Sequence, residues 1–179
     1  MNIETIKVGA LQTNCYILEC NGKTLIIDPG DDYYILKNYL MEKDIEAILI
    51  THGHDDHIGA VSSIVDTFHV PVYSKQNLKE GKYEFGPFHF EVLYTPGHTS
   101  DSVTYYFYEY NFLFSGDFLF KHTVGRMDLE TGSVDDMKHS LEKIYEYSDR
   151  ITVYPGHGES TTLGEEKREN QYFNWVQRQ

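Results

Sequence analysis

Three short apolar-rich stretches open the chain, Ile3 to Val8, Cys15 to Leu18 and Thr24 to Ile27, and each reads as a strand. Asn21-Gly22 is a tight hairpin signal between the last two, so the opening is a β-meander. Asp28-Pro29-Gly30 then breaks the sheet. Asp31 or Asp32 is placed to cap a helix running to about Met41, with Ile35, Leu36, Tyr39 and Leu40 as its apolar face. The unbroken apolar run Ala47-Ile48-Leu49-Ile50 predicts a strand buried on both faces, ending at Thr51. Gly59 to Asp66 reads as the next helix, followed by strands at Val72-Tyr73 and Phe88 to Tyr94.

The second half repeats this layout. Strands are predicted over Val103 to Tyr108, Asn111 to Ser115 and Ile151 to Tyr154, with a helix opening at Ser133 and carrying Asp135 and Asp136 in its first turn. A final amphipathic helix is expected from Gly164 to Val176, docking Tyr172, Phe173 and Val176 while Glu165, Glu166, Lys167 and Arg168 face water. Each half is β-rich, then helical, and then closes on a strand that ends in Gly and His. That order fits an α/β protein built as an αββα four-layer sandwich, with the loops of both halves meeting at one sheet edge.

Composition narrows the picture. The chain has 179 residues with no linker-like shift in composition, which predicts one domain over 1–179. Hydrophobic residues at 40% and aromatics at 15% can fill a core without disulfides, and Cys15 and Cys20, the two cysteines present, make no disulfide framework. Against 28 acidic side chains stand 15 basic ones, a formal charge of −13, which repels phosphate backbones and anionic lipid and argues against nucleic-acid and membrane partners. Met1 to Gly9 has no positive leader, and no window approaches the ~20 apolar residues of a membrane span, so a soluble, cytoplasmic protein is expected.

Candidate chemistry is concentrated in Thr51-His52-Gly53-His54-Asp55-Asp56-His57, which places three imidazoles and a carboxylate just beyond a buried strand. Imidazole nitrogen and carboxylate oxygen are the ligands that divalent zinc, iron or manganese accept. His52 and His54 alternate like strand residues and can share one ion, while Asp56 and His57, one turn onward, can face a second. Three further ligand types follow apolar strands, each beside a glycine: Pro96-Gly97-His98, Ser115-Gly116-Asp117 and Pro155-Gly156-His157. His69, His89, His122 and His139 lie outside these motifs and read as surface or core residues, with His122 the least secure because its loop follows Asp117.

Together these residues resemble the metallo-β-lactamase superfamily, whose signature is a His-x-His-x-Asp-His run followed by His, Asp and His on later loops. The resemblance spans nearly the whole chain and implies the metallo-β-lactamase fold with two divalent metal ions, zinc being expected and iron or manganese the alternatives. Carried over by position, it implies that His52, His54 and His98 hold the first ion, that Asp56, His57 and His157 hold the second, and that Asp117 bridges them. A water shared by two ions would supply hydroxide to attack an ester-like carbonyl, with Asp56 as the residue that orients or accepts the nucleophile's proton.

Within the superfamily the chain is similar to glyoxalase II, the hydroxyacylglutathione hydrolase, and to its shorter relatives, which cleave thioesters. Asp117 stands where the best known β-lactamases of the fold place a cysteine, and the missing export signal also points away from an antibiotic-degrading role. Val124-Gly125-Arg126-Met127-Asp128-Leu129 resembles a Gly-Arg-x-Asp segment of glyoxalase II-like proteins, and Thr161-Thr162-Leu163-Gly164-Glu165-Glu166-Lys167-Arg168-x-Asn170 resembles the end of the single-domain forms. In contrast to full glyoxalase II, no additional C-terminal helical domain is expected. The resemblance therefore predicts a small-molecule thioester substrate and leaves the thiol, the acyl group and the oligomeric state open. A mononuclear-iron persulfide dioxygenase, a lactone hydrolase and a non-catalytic metal-binding protein are the rival readings, whereas the nuclease and flavodiiron branches need domains that a single-domain chain is not expected to carry.

Overall fold

The computed structural model describes residues 1–177 and shows two β-sheets stacked face to face, with helices on both outer surfaces. The first sheet holds β1 (Asn2–Val8), β2 (Thr13–Cys20), β3 (Lys23–Ile27), β4 (Asp44–Leu49) and β5 (Val72–Tyr73), side by side in that order. The meander β1 to β3 is antiparallel, and β4 and β5 continue in parallel. Parallel neighbours need a crossover. The helix α1 (Tyr33–Leu40) supplies it before β4, and the short α2 (Asp55–Ile58) with α3 (Val61–Phe68) supplies it before β5.

The second sheet is built from β6 (Gly81–Phe85), β7 (Phe88–Tyr94), β8 (Val103–Phe107) and β9 (Phe112–Gly116). After the small hairpin of β10 (Leu119–Phe120) and β11 (Thr123–Val124) and the helix α4 (Val134–Tyr145), it is completed by β12 (Thr152–Pro155) and β13 (Thr161–Thr162). Its spatial order is β13-β12-β9-β8-β7-β6, antiparallel except where β12 returns parallel to β9 after the α4 crossover. α5 (Leu163–Glu169), a 3-10 turn (Gln171–Phe173) and α6 (Asn174–Gln177) close the described chain.

Alternating side chains divide the interior into three layers. Tyr16, Leu18, Leu25, Ile27, Ala47 and Leu49 point from the first sheet onto Phe88, Phe90, Tyr105, Phe107 and Phe114 of the second. Their neighbours Cys15, Ile17, Ile26, Ile48 and Ile50 point outward beneath Leu36, Leu40 and Ile64 of α1 and α3. On the other side, Leu93, Leu113 and Val153 meet Met137, Leu141 and Ile144 of α4 together with Leu163 and Phe173. The run Ala47 to Ile50 is thus buried on both faces, as its unbroken apolarity predicts. The four layers are α, β, β, α.

Several details depart from the sequence expectations. The helix expected over Gly59 to Asp66 is α3, which runs from Val61 to Phe68, and a separate short helix, α2, precedes it because Asp55 already opens a turn directly after His54. Ile35 is not on the buried face of α1, where Leu36 and Leu40 are the buried residues. Asp32 precedes that helix without capping it, since its carboxylate accepts from Gly9 N at 2.8 Å instead. The terminal helix breaks at Asn170, whose backbone is extended and whose side chain accepts from Tyr172 N. Glu166 does not face water: it is fully buried. Tyr172, Phe173 and Val176 do pack on the body. No described helix is long and apolar enough to cross a membrane.

Candidate metal centre

Four strand ends open on one edge of the sandwich, and the seven predicted side chains meet there. His52, His54 and His98 form one group, Asp56, His57 and His157 a second, and Asp117 joins His52 and His57 in a third, with the ligand atoms of each group within 4.8 Å of one another. β4 delivers the first two histidines, α2 brings Asp56 and His57 one turn later, and the loops after β7, β9 and β12 supply His98, Asp117 and His157. Of the other four histidines, His69, His122 and His139 are exposed and His89 is half-buried.

The hydrogen bonds around the cluster decide which ring nitrogens are bare. His98 Nδ1 lies 2.8 Å from Arg126 O and His157 Nδ1 lies 3.2 Å from Leu11 O. A carbonyl oxygen only accepts, so both Nδ1 atoms carry the proton and both Nε2 atoms present lone pairs to the centre. His57 Nδ1 donates to Asp28 Oδ2 at 2.8 Å, which turns its Nε2 toward the centre as well. Thr51 Oγ1 gives its proton to Asp28 Oδ2 at 2.6 Å and so accepts from His52 Nδ1 at 3.1 Å. Four histidines therefore turn Nε2 inward.

His54 offers Nδ1 instead, 3.1 Å from His52 Nε2 and 3.0 Å from His98 Nε2. His54 has at most one proton to give there, so at least one of these contacts is lone pair against lone pair, which a cation turns from repulsion into coordination. On the second side, His157 Nε2 is 3.1 Å from Asp56 Oδ2, and His57 Nε2 is 3.5 Å from the same oxygen. Asp117 lies between the groups, with Oδ1 3.3 Å from His57 Nε2 and Oδ2 3.6 Å from both His98 Nε2 and His157 Nε2. His57 Nε2 and Asp117 Oδ1 are buried with no hydrogen-bond partner. Buried polar atoms are seldom left so, and the donor set fits a pair of divalent cations.

The electrostatics agree. Burial alone would depress the His57 imidazole, but Asp28 and Asp117 outweigh it and push its pKa up to about 10. That position calls for positive charge, whether proton or metal. Burial and the neighbouring His57 depress His52 to about 2, leaving it a neutral ligand. Burial would raise Asp117, yet the adjacent His57 holds it down to about 2, so it is a carboxylate.

Asp28 is the functional residue the sequence reading missed. It follows an apolar strand, sits at φ 52 and is 2% exposed, and it accepts from Thr51 N at 2.8 Å as well as from Thr51 Oγ1 and His57. The available signal was an acidic residue directly after Leu25-Ile26-Ile27, where a turn former was read. Thr13, whose Oγ1 donates to Asp56 Oδ2 at 2.9 Å, gave no signal at all. Gly156 is required by close approach: a Cβ there would stand 2.2 Å from Asp117 Oδ1 and 2.7 Å from His57 Cε1.

The profile of the metallo-beta-lactamase superfamily matches residues 8–82 and 77–157. The chain belongs to the metallo-β-lactamase superfamily. Among known proteins it is similar to the probable metallo-hydrolase YqgX of Bacillus subtilis, 33% identical over 97% of this chain and 98% of that protein. It is also similar to the hydroxyacylglutathione hydrolase GloC of Haemophilus influenzae, 32% identical over 97% of this chain and 99% of the relative. Two solved structures share the metallo-β-lactamase fold. The BLEG-1 B3 metallo-beta-lactamase superposes with TM-score 0.90 at 34% identity, covering 96% of this chain and 99% of its own. TTHA1623 in a di-iron-bound form gives 0.87 at 33%, covering 94% and 99%. The chain is thus a metallo-hydrolase, of a superfamily that binds divalent metals.

Proposed function

We propose that this metallo-hydrolase cleaves a small thioester at a binuclear centre, with His52, His54 and His98 as ligands of one cation, Asp56, His57 and His157 as ligands of the other, and Asp117 shared between them. The observation that carries this reading is the placement of Asp117, one oxygen toward His57 and the other toward His98 and His157. Bound divalent cations supply positive charge that lowers the pKa of water from ~15.7 toward ~7 and polarises a carbonyl. Zinc suits this donor set, and so do iron and manganese.

The chain's own residues do the rest. Asp56, anchored by the Thr13 hydroxyl and half-buried, orients the attacking water and accepts its proton. Water oxygen bonds to the acyl carbon, the carbon–sulfur bond breaks, and the thiol leaves with a proton. Asp28, Thr51 and the Arg126 and Leu11 carbonyls hold four imidazole rings in orientation before substrate arrives, so little reorganisation is needed during reaction. A cavity of ≈ 460 Å³ lined by His54, Gly53, Thr99, Ser100, Asp101, Leu129, Glu130 and Thr131 adjoins the first trio and has room for the acyl or thiol portion.

The similarity to GloC supports a thioester, and the second trio supports a binuclear hydrolase over a mononuclear-iron dioxygenase. The likeness to BLEG-1 favours one other reading, β-lactam hydrolysis at the same centre. A panel of acyl-thioesters, lactones and β-lactams on metal-quantified protein, with oxygen uptake recorded, tests the proposal. Thioester turnover without oxygen consumption is expected. Oxygen uptake on a persulfide, or turnover of β-lactams or lactones with thioesters untouched, refutes it.

A further inference from the structure

Glu166 is a carboxylate buried to 0% exposure, on α5, with no lysine or arginine bonded to it among the described residues. Three donors from three segments converge on it. Thr161 Oγ1 donates to Oε1 at 2.7 Å, while the His122 backbone N–H at 2.8 Å and Asn170 Nδ2 at 2.9 Å donate to Oε2. Asn170 Nδ2 also donates to Thr123 O at 3.0 Å. Both main-chain contacts fall on the tip of the β10–β11 hairpin, where His122 holds an unfavourable left-handed backbone, φ 63.

The base of that hairpin belongs to the metal centre. Asp117 precedes β10, and Arg126, whose carbonyl fixes the His98 ring at 2.8 Å, follows β11. Gly125 N donates to Phe118 O at 3.4 Å, and a Cβ on Gly125 would meet Asp117 O at 1.9 Å and His98 Cβ at 3.0 Å. Only Leu119↔Val124 and Phe120↔Thr123 separate base from tip. So short a lever passes any movement of its tip to its base.

We propose that Glu166, together with Asn170, is a positioning residue for the metal centre, clamping the tip of the hairpin whose two ends carry Asp117 and the carbonyl that orients His98. His122 Nε2 also lies 3.0 Å from Glu165 Oε1, so the hairpin turn meets α5 through its side chain as well as its backbone. The inference rests on reading the seven side chains as a metal centre.

Glu166→Gln preserves the clasp, because its amide oxygen can accept from His122 N and Asn170 while its NH₂ donates to Thr161, whose hydroxyl switches to acceptor. Glu166→Ala removes it. With Zn²⁺ as probe and a chromophoric chelator as competitor, E166A is expected to bind at least about tenfold more weakly than wild type, and E166Q within about twofold of it. Amide hydrogen exchange over residues 118–126 accelerates in E166A and not in E166Q. Wild-type zinc affinity and exchange in E166A overturn the proposal, as does a loss in E166Q equal to that in E166A. Should E166A fail to fold, N170A decides on the same two readouts: weaker zinc and faster exchange support the clasp, and no change in either overturns it. A wild-type protein that binds no zinc defeats the metal-centre reading instead; exchange alone then judges the clasp, faster exchange in E166A supporting it and unchanged exchange overturning it.

Discussion

His57 and Asp28 are joined by a 2.8 Å hydrogen bond from Nδ1 to Oδ2, with 0% and 2% of their side chains exposed. The bond fixes which nitrogen of His57 faces the centre, and the same carboxylate, through Thr51, sets His52. One buried acid therefore orients ligands on both sides of the cluster. Asp28→Asn keeps the volume but turns an NH₂ toward a donor, leaving a buried group unpaired at about 1–3 kcal/mol. Metal affinity, read by chelator competition, should fall about 10–100-fold.

Asp117 reaches both trios, with Oδ1 toward His57 and Oδ2 toward His98 and His157. Asp117→Ala should abolish turnover and lower bound metal from two equivalents to one or fewer, measured by elemental analysis after dialysis. Two retained equivalents with a normal rate would rule out its shared role.

Gly156→Ala should leave a folded protein with a damaged centre. Its methyl group would occupy space 2.2 Å from Asp117 Oδ1, so the carboxylate has to move. Misplacement on the ångström scale costs about 10²-fold in rate. Steady-state kinetics beside an unchanged circular dichroism spectrum checks this, and an undiminished rate would contradict the close packing.

Stripping metal should lower thermal stability, because His57 Nε2 and Asp117 Oδ1 are buried without partners in the bare cluster. Free metal at 100 times its dissociation constant stabilises the fold by about 2.7 kcal/mol, which for a domain of this size is about 5–10 °C in Tm. Melting curves with chelator and after readdition of zinc measure it. Identical midpoints would show that the cluster binds no cation.

Much of the site was legible because its ligands sit at the ends of strongly apolar strands. The run Ala47 to Ile50 marks β4, and the histidines beyond it have no role in a core. What the sequence concealed are the supports. Asp28 looks like any turn-forming Asp-Pro-Gly, Thr13 like any strand threonine, and their partners lie 29 and 43 positions away. The strand β6 was missed because Lys82 and Glu84 mask the inward pair Tyr83 and Phe85. Glu166 was assigned to solvent from helical periodicity, but Asn170 stops that helix and three local donors draw the carboxylate inward.

Stepwise metal addition to the chelated protein, with thioester hydrolysis followed at each step, is the decisive measurement. Hydrolysis should rise until two equivalents per chain are bound and then level off. Full activity at one equivalent, or none at two, would contradict a binuclear thioester hydrolase.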